Sequence, residues 1–423
     1  MMSPVTELVV TTDRSALQRR TLWSLRLAQV PGQAAVAGIV AVVSLLASDL
    51  LGSDRLAGIG SAAFTTGAAL TMVPLAAFMR RRGRRPGLIG ALLLGATGAA
   101  IAATGGELRW FPLFVVGMLL FGAGQAATLQ QRYVATDLAD DSQAATAIAA
   151  IVWVGTLGAA FGPTLAPVEK AVARGLGLDE LVGPFLFATV FFVVAAAVVW
   201  VRLRPDPLAV VGGIDPEAER VRPLAQVRRS AGVIRSSPNA VLGLTAMAAS
   251  QAAMVGVMTM TPPHMKDHGH DDLSAFVIAL HIVGMYAFAP LVGRFVDRVG
   301  ENRAIRVGAV VLGAGTVSTV MAGYVPVLMF VGLFLLGLGW NVGLIAGSAL
   351  LTSSVPAGTK VEVQGTADLA MSGCGAVAAF GSGFVKESVG FHLLANGAAG
   401  LAALLLVLAW ITAARQPRLT PSP

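Results

Sequence analysis

Charge is scarce in this sequence. Asp, Glu, Lys and Arg make up 13% of the 423 residues, about half the roughly 25% of a soluble domain. That excludes the pair of soluble domains that length alone favours. Cysteine is scarcer: Cys374 is the only one, so no disulfide forms within the chain and the thiol says nothing about compartment. It reads as a small packing residue inside an apolar run. Aromatic residues reach only 6%, too few to interleave with basic side chains as a nucleic-acid face requires. The sequence also lacks H-E-x-x-H and G-x-S-x-G, and no G-x-x-x-x-G-K-[ST] phosphate loop occurs. The enzymes those motifs mark are excluded, as is ATP-driven transport unless a partner chain supplies the ATPase. The opening "MMSPVTELVVTTDRSALQRRTLWSLR" is polar and holds acids, so it does not read as a signal peptide.

What is abundant is apolar length. Hydrophobic residues make up 55% of the chain, in recurrent runs of about 20 residues. These fall near 27–48, 56–79, 87–104, 110–131, 144–166, 184–203, 239–262, 273–293, 304–323, 326–350, 364–385 and 391–413. Each is about twice the length of a barrel strand and apolar on every face. A helix satisfies its own backbone in hydrocarbon. The reading is an all-α membrane protein with twelve transmembrane helices, the ninth and tenth divided only by a turn around Pro326.

The net charge of +7 is explained by its distribution. With the N-terminus inside, 24 of the 30 Lys and Arg fall on the cytoplasmic side; Arg55, Arg109, Lys170, Arg174, Lys266 and Lys386 are the six outside. The positive-inside rule then puts both termini in the cytoplasm of a cell-membrane protein. The expected partners are the bilayer and a small-molecule substrate, with protons as a possible coupling ion. No nucleic acid, cofactor or metal is expected, and the chain is expected to be a monomer.

Residues 204–238 form the only long polar stretch. It separates an N-terminal half (1–203) from a C-terminal half (239–423), six spans each. The halves echo each other at an offset of about 217 residues: "RRRGRRPGLIGALLLGATG" at 80–98 parallels "DRVGENRAIRVGAVVLGAG" at 297–315, and "AAFG" recurs at 159 and 378. Repeated halves are a signature of secondary transporters.

Between spans eight and nine stands "GRFVDRVG", residues 293–300. It resembles the G-x-x-x-D-R-x-G loop motif of the major facilitator superfamily, which falls between the second and third helices of each half. The resemblance covers essentially the whole chain and implies two pseudo-symmetric six-helix halves. Gly293 and Gly300 match the motif glycines, which allow positive φ and close approach. The resemblance implies that Asp297 and Arg298 help latch one state of an alternating-access cycle. The first copy, "AAFMRRRGRR", keeps Arg81, Gly83, Arg84 and Arg85 but has Arg80 in place of the acid. In the superfamily that acid meets the start of span eleven, where Glu362 and Asp368 stand here. A reversed latch is therefore expected, with Arg80 or Arg81 reaching Asp368 or Glu362.

"GTLGAAFGP" in span five, with Gly158, Gly162 and Pro163, is similar to the core of the glycine-rich motif of drug/proton antiporters. The same residues equally serve close helix packing and a bend. In span four "MLLFGAGQAA" has Met118 where the superfamily's motif carries arginine, and Arg132 near the span's end is expected to snorkel to the surface.

Polar groups inside spans are functional candidates. His281 lies about 12 Å into span eight at 1.5 Å per residue and titrates near neutrality; holding a neighbour's carbonyl is the equal alternative. Asp368, the second coupling candidate, sits about one turn into span eleven, where a surface role at the helix start is favoured. By resemblance and depth, Gln29, Gln33, Gln125, Gln251, Tyr286, Trp340 and Asn341 are candidates to line the cavity. Such a lining suits a neutral, amphiphilic or aromatic solute. "PPHMKDHGHDD" at 262–272 reads as a solvated outer loop rather than a metal site. The function expected is secondary active transport, as proton-coupled export of an apolar or amphiphilic compound. An importer or uniporter of a small metabolite, or a non-transporting sensor, remains the alternative.

Overall fold

The computed structural model describes residues 4–52, 58–218, 222–267, 273–322 and 326–415. The chain divides into two compact units: residues 1–229 with 357–369, and residues 230–356 with 370–423. Among the described residues both are helical, as uninterrupted apolar sequence demands where backbone groups must bond within their own segment.

The first unit begins with α1 (Pro4–Leu51), α2 (Gly58–Arg82), α3 (Arg84–Glu107) and α4 (Phe111–Val134). Then come α5 (Ala144–Thr164), the short α6 (Ala166–Gly175) and α7 (Gly183–Arg202). The polar stretch expected as a linker contains α8 (Pro207–Val210) and α9 (Pro223–Ser236). Small residues let these helices meet backbone to backbone, as where α5 lays Gly158 against Val30, Gln33 and Ala34, and Gly162 against Ala34, Ala37 and Gly38. A side chain at either glycine would displace α1.

The second unit holds α10 (Pro238–Asp267), α11 (Ser274–Ile282), α12 (Ala289–Val299), α13 (Glu301–Met321), α14 (Pro326–Ser353) and α16 (Phe391–Arg415). Helix α15 (Lys360–Val389) gives its first turns to the first unit and the rest to the second.

Among the described residues eleven helices are long and apolar enough to cross a membrane, and the bent pair 276–287 and 289–299 makes twelve if it is one span. Here the structure refines the expected span eight. A π-helical turn at Val283–Ala287 precedes α12, and the two arms meet at 41°. Pro290 supplies the cause: it donates no N–H and clashes with the carbonyl four residues back. Helix α10 also runs on to Asp267, into the expected outer loop. His264 there is 5% exposed and stacks on Phe391 at 4.2 Å; residues 268–272, with the other loop histidines, lie outside the described residues.

Candidate functional site

The first motif copy makes a turn without spare residues. Gly83 adopts φ 101° and Gly300, in the second copy, φ 85°, each capping the next helix. Only glycine holds such a backbone without strain. In α12 the buried residues Val292, Gly293 and Val296 lie on one helical face, leaving Asp297 half-buried and Arg298 exposed.

Around Gly83 four arginines, Arg80, Arg81, Arg84 and Arg85, have partners. Arg84 is fully buried, and its Nε and Nη2 donate to both carboxylate oxygens of Asp137 at 2.8 and 3.1 Å. Nη2 also donates to Gln364 Oε1 at 2.8 Å. This two-pronged pairing is the geometry a guanidinium favours. Arg85 donates its side chain to the Trp200 carbonyl at 2.7 Å, and its backbone N–H to Asp206 Oδ2 at 2.7 Å. Asp206 thus brings negative charge to the positive start of α3. Arg81 donates to the Pro216 carbonyl at 3.2 Å.

Arg80 is the residue that replaced the motif acid. Its Nη1 lies 2.8 Å from Glu362 Oε1 and its Nη2 3.2 Å from Asp215 Oδ2. Of the two acids expected opposite it, the structure brings Glu362. Asp368 goes elsewhere, which corrects two expectations at once. It is fully buried rather than at a helix-start surface, and Arg132 is 2% exposed rather than snorkelling. Arg132 Nη2 pairs with Asp368 Oδ1, and Gln130 donates to Oδ2 at 3.0 Å. The Tyr133 hydroxyl donates to Oδ1 at 3.3 Å, and the Tyr133 ring lies 4.4 Å from the guanidinium carbon. A charge so placed needs an opposite charge and saturated hydrogen bonds, and both are present. The sequence reading missed Arg132, Gln130, Asp137, Asp206, Asp215 and Gln364 as members. A signal was there in the span-four end "QQRYVATD", where two amides, a cation, a phenol and an acid fall within eight residues.

The other intramembrane candidates sort by unit. In the first, Gln29 is buried, Gln33 and Gln125 are half-buried, and Thr128 donates to the Gln125 carbonyl at 2.8 Å. In the second, His281 is 1% exposed and its Nδ1 lies 2.8 Å from the Leu333 carbonyl, which fixes it as a donor there. Trp340 Nε1 donates to Gln251 Oε1 at 2.6 Å, and its ring meets Tyr286 edge-on at 5.8 Å. Beside Trp340, Asn341 is fully buried, with neither Oδ1 nor Nδ2 bonded among the described residues. The side chain of Pro163 lies outside the described residues.

Buried charge confined to helix ends, apolar spans and a few uncharged polar groups at depth define a multi-span membrane transporter. The chain belongs to the Major Facilitator Superfamily, whose family model matches residues 27–380 and 272–423. It is 35% identical over 396 residues to the uncharacterized MFS-type transporter YdeG of Bacillus subtilis (strain 168), covering 93% of this chain and 92% of that protein. It is 29% identical over 402 residues to the riboflavin transporter RfnT of Brucella anthropi, covering 94% and 96%. In fold it is similar to the human organic anion transporter MFSD10, with a TM-score of 0.76 at 21% identity, over 93% of this chain and 99% of that one.

Proposed function

We propose that this transporter exports a flat, aromatic or amphiphilic solute of little net charge in exchange for protons, as a monomer in the cell membrane with both termini cytoplasmic. Asn341 carries the reading. A buried amide without partners costs about 1–3 kcal/mol, and a solute edge offering one donor and one acceptor removes that cost. Trp340, its neighbour in the chain, and Tyr286, which meets Trp340 edge-on, offer ring faces and edges to a planar molecule. Riboflavin, the solute in the name of one relative, has this character. Outward direction rests on the antiporter-like Gly158 and Gly162. In this reading the Arg80 cluster and Asp297 with Arg298 hold one state of the cycle, and Gln251, which accepts from Trp340, faces the solute.

The test uses purified protein in liposomes with riboflavin as the probe. Riboflavin is expected to move with an imposed pH gradient, and Asn341→Ala is expected to slow it tenfold or more, about 1.4 kcal/mol. Flux independent of the gradient excludes proton exchange, and undiminished flux in N341A excludes the site.

A further inference from the structure

One buried acid pairs with no cation among the described residues. Helix α6 lies beyond the fifth span and carries Glu169 in its first turn. The residue is 2% exposed. Its backbone carbonyl packs directly on Gly183 at the start of α7. The carboxyl turns toward α1, with Oε1 3.7 Å from where a side chain on Gly38 would begin. The other oxygen, Oε2, is buried and unbonded among the described residues.

Among the described residues, the charged groups of the neighbouring elements are engaged with others. On α1, Asp49 pairs with Arg109 at 2.9 Å. In the turn before α7, Glu180 pairs with Arg174 of α6 at 3.3 Å, and Glu107 at the end of α3 accepts from the Asp179 N–H at 3.0 Å. Lys170 is the adjoining residue on α6 itself. Helix α5 carries no charge, and α7 none but Arg202 at its far end. Asp368, fully buried, and Asp137, half-buried, each have an arginine.

A lone carboxylate out of water is costly, and taking up a proton removes most of that cost. Burial alone pushes Glu169 up to about 7. We propose that Glu169 is a proton-binding site, charged with a proton from water when α6 closes on α1 and returning it to water when they part, and that this is the coupling proton of the exchange. The coupling half rests on the function proposed above; the proton site stands on the geometry of α6, α1 and α7. Folded Glu169 holds its proton between its unfolded value of about 4.3 and about 7. Stability therefore falls as pH rises through that window, and Glu169→Gln removes this slope.

The test is pH-difference infrared spectroscopy on the protein in liposomes. A protonated-carboxyl band is expected to disappear with a midpoint near pH 7, to be absent in Glu169→Gln and to persist, shifted, in Glu169→Asp. Coincident wild-type and E169Q spectra between about pH 5 and 9 overturn the site. With riboflavin as probe, E169Q is expected to equilibrate it across the membrane but not to accumulate it against a gradient. Accumulation equal to wild type overturns the coupling. If the wild type itself ignores the pH gradient, proton exchange fails as a function, and the infrared band alone decides the site.

Discussion

Replacing Asp368 by asparagine keeps the shape of its site and removes its charge. The amide oxygen of the new side chain still accepts from Gln130 or Tyr133, but Arg132 is left charged at 3% exposure with no anion. Removing one member of a buried pair costs about 3–5 kcal/mol. The surviving hydrogen bonds and the Tyr133 ring place D368N near the lower end. Spread over a unit of this size, the loss corresponds to a fall of roughly 6–12 °C in Tm. Tryptophan fluorescence during a thermal ramp in mild detergent measures it. Adding Arg132→Met to Asp368→Leu removes both charges, and that double variant is expected to melt at or above the wild type, since apolar replacements of buried pairs are often neutral or better. A D368N melt indistinguishable from wild type refutes the pair. So does a double variant no more stable than D368N.

The Arg80–Glu362 contact is partly open, at 24% and 15% exposure, so its coupling is expected to stay below about 1 kcal/mol. In a double-mutant cycle on transport with Arg80→Ala and Glu362→Ala, the double variant should be about two- to fivefold more active than the singles' product; additive losses deny the contact any role in the cycle. A cysteine at Gly213, on a Cys374→Ser background, is expected to resist a membrane-impermeant maleimide in intact cells and to react after permeabilisation. Labelling in intact cells overturns the orientation.

The spans were legible because a bilayer imposes length and apolarity on every crossing segment, and both quantities are local. The bend at Phe288 was not, although Pro290 was visible, because the π-turn before it packs its own Gly284 against the Phe334 carbonyl, a contact no local pattern marks. Arg132 was misjudged for a related reason. A long cationic side chain near a span's end ordinarily reaches water, and only the arrival of Asp368, 236 residues away, holds it inside. The exchange of acid for arginine at position 80 pointed to the acids at the start of α15, Glu362 and Asp368, because it concerned charge alone, and Glu362 is the one that meets it. Glu169 escaped notice because its segment "APVEKAVARG" reads as a charged loop. Nothing local marks Gly38 as leaving room for its carboxyl.

Asp206 and Asp215 lie past the last span of the first half, yet they serve its Gly83 turn, one at the start of α3 and the other at Arg80. The Asp215 N–H also donates to the Arg80 carbonyl at 2.9 Å. The first fourteen or so residues of the connecting stretch are therefore a component of the first unit, and beyond them Gln226 of α9 also donates to the Val73 carbonyl of α2 at 3.3 Å. Two separately expressed half-transporters divided at residue 203 would leave the first half without these acids, whereas division near residue 219 would keep them. Chimaeras with relatives face the same boundary: a junction inside 204–215 mixes one protein's arginines with another's counter-ions.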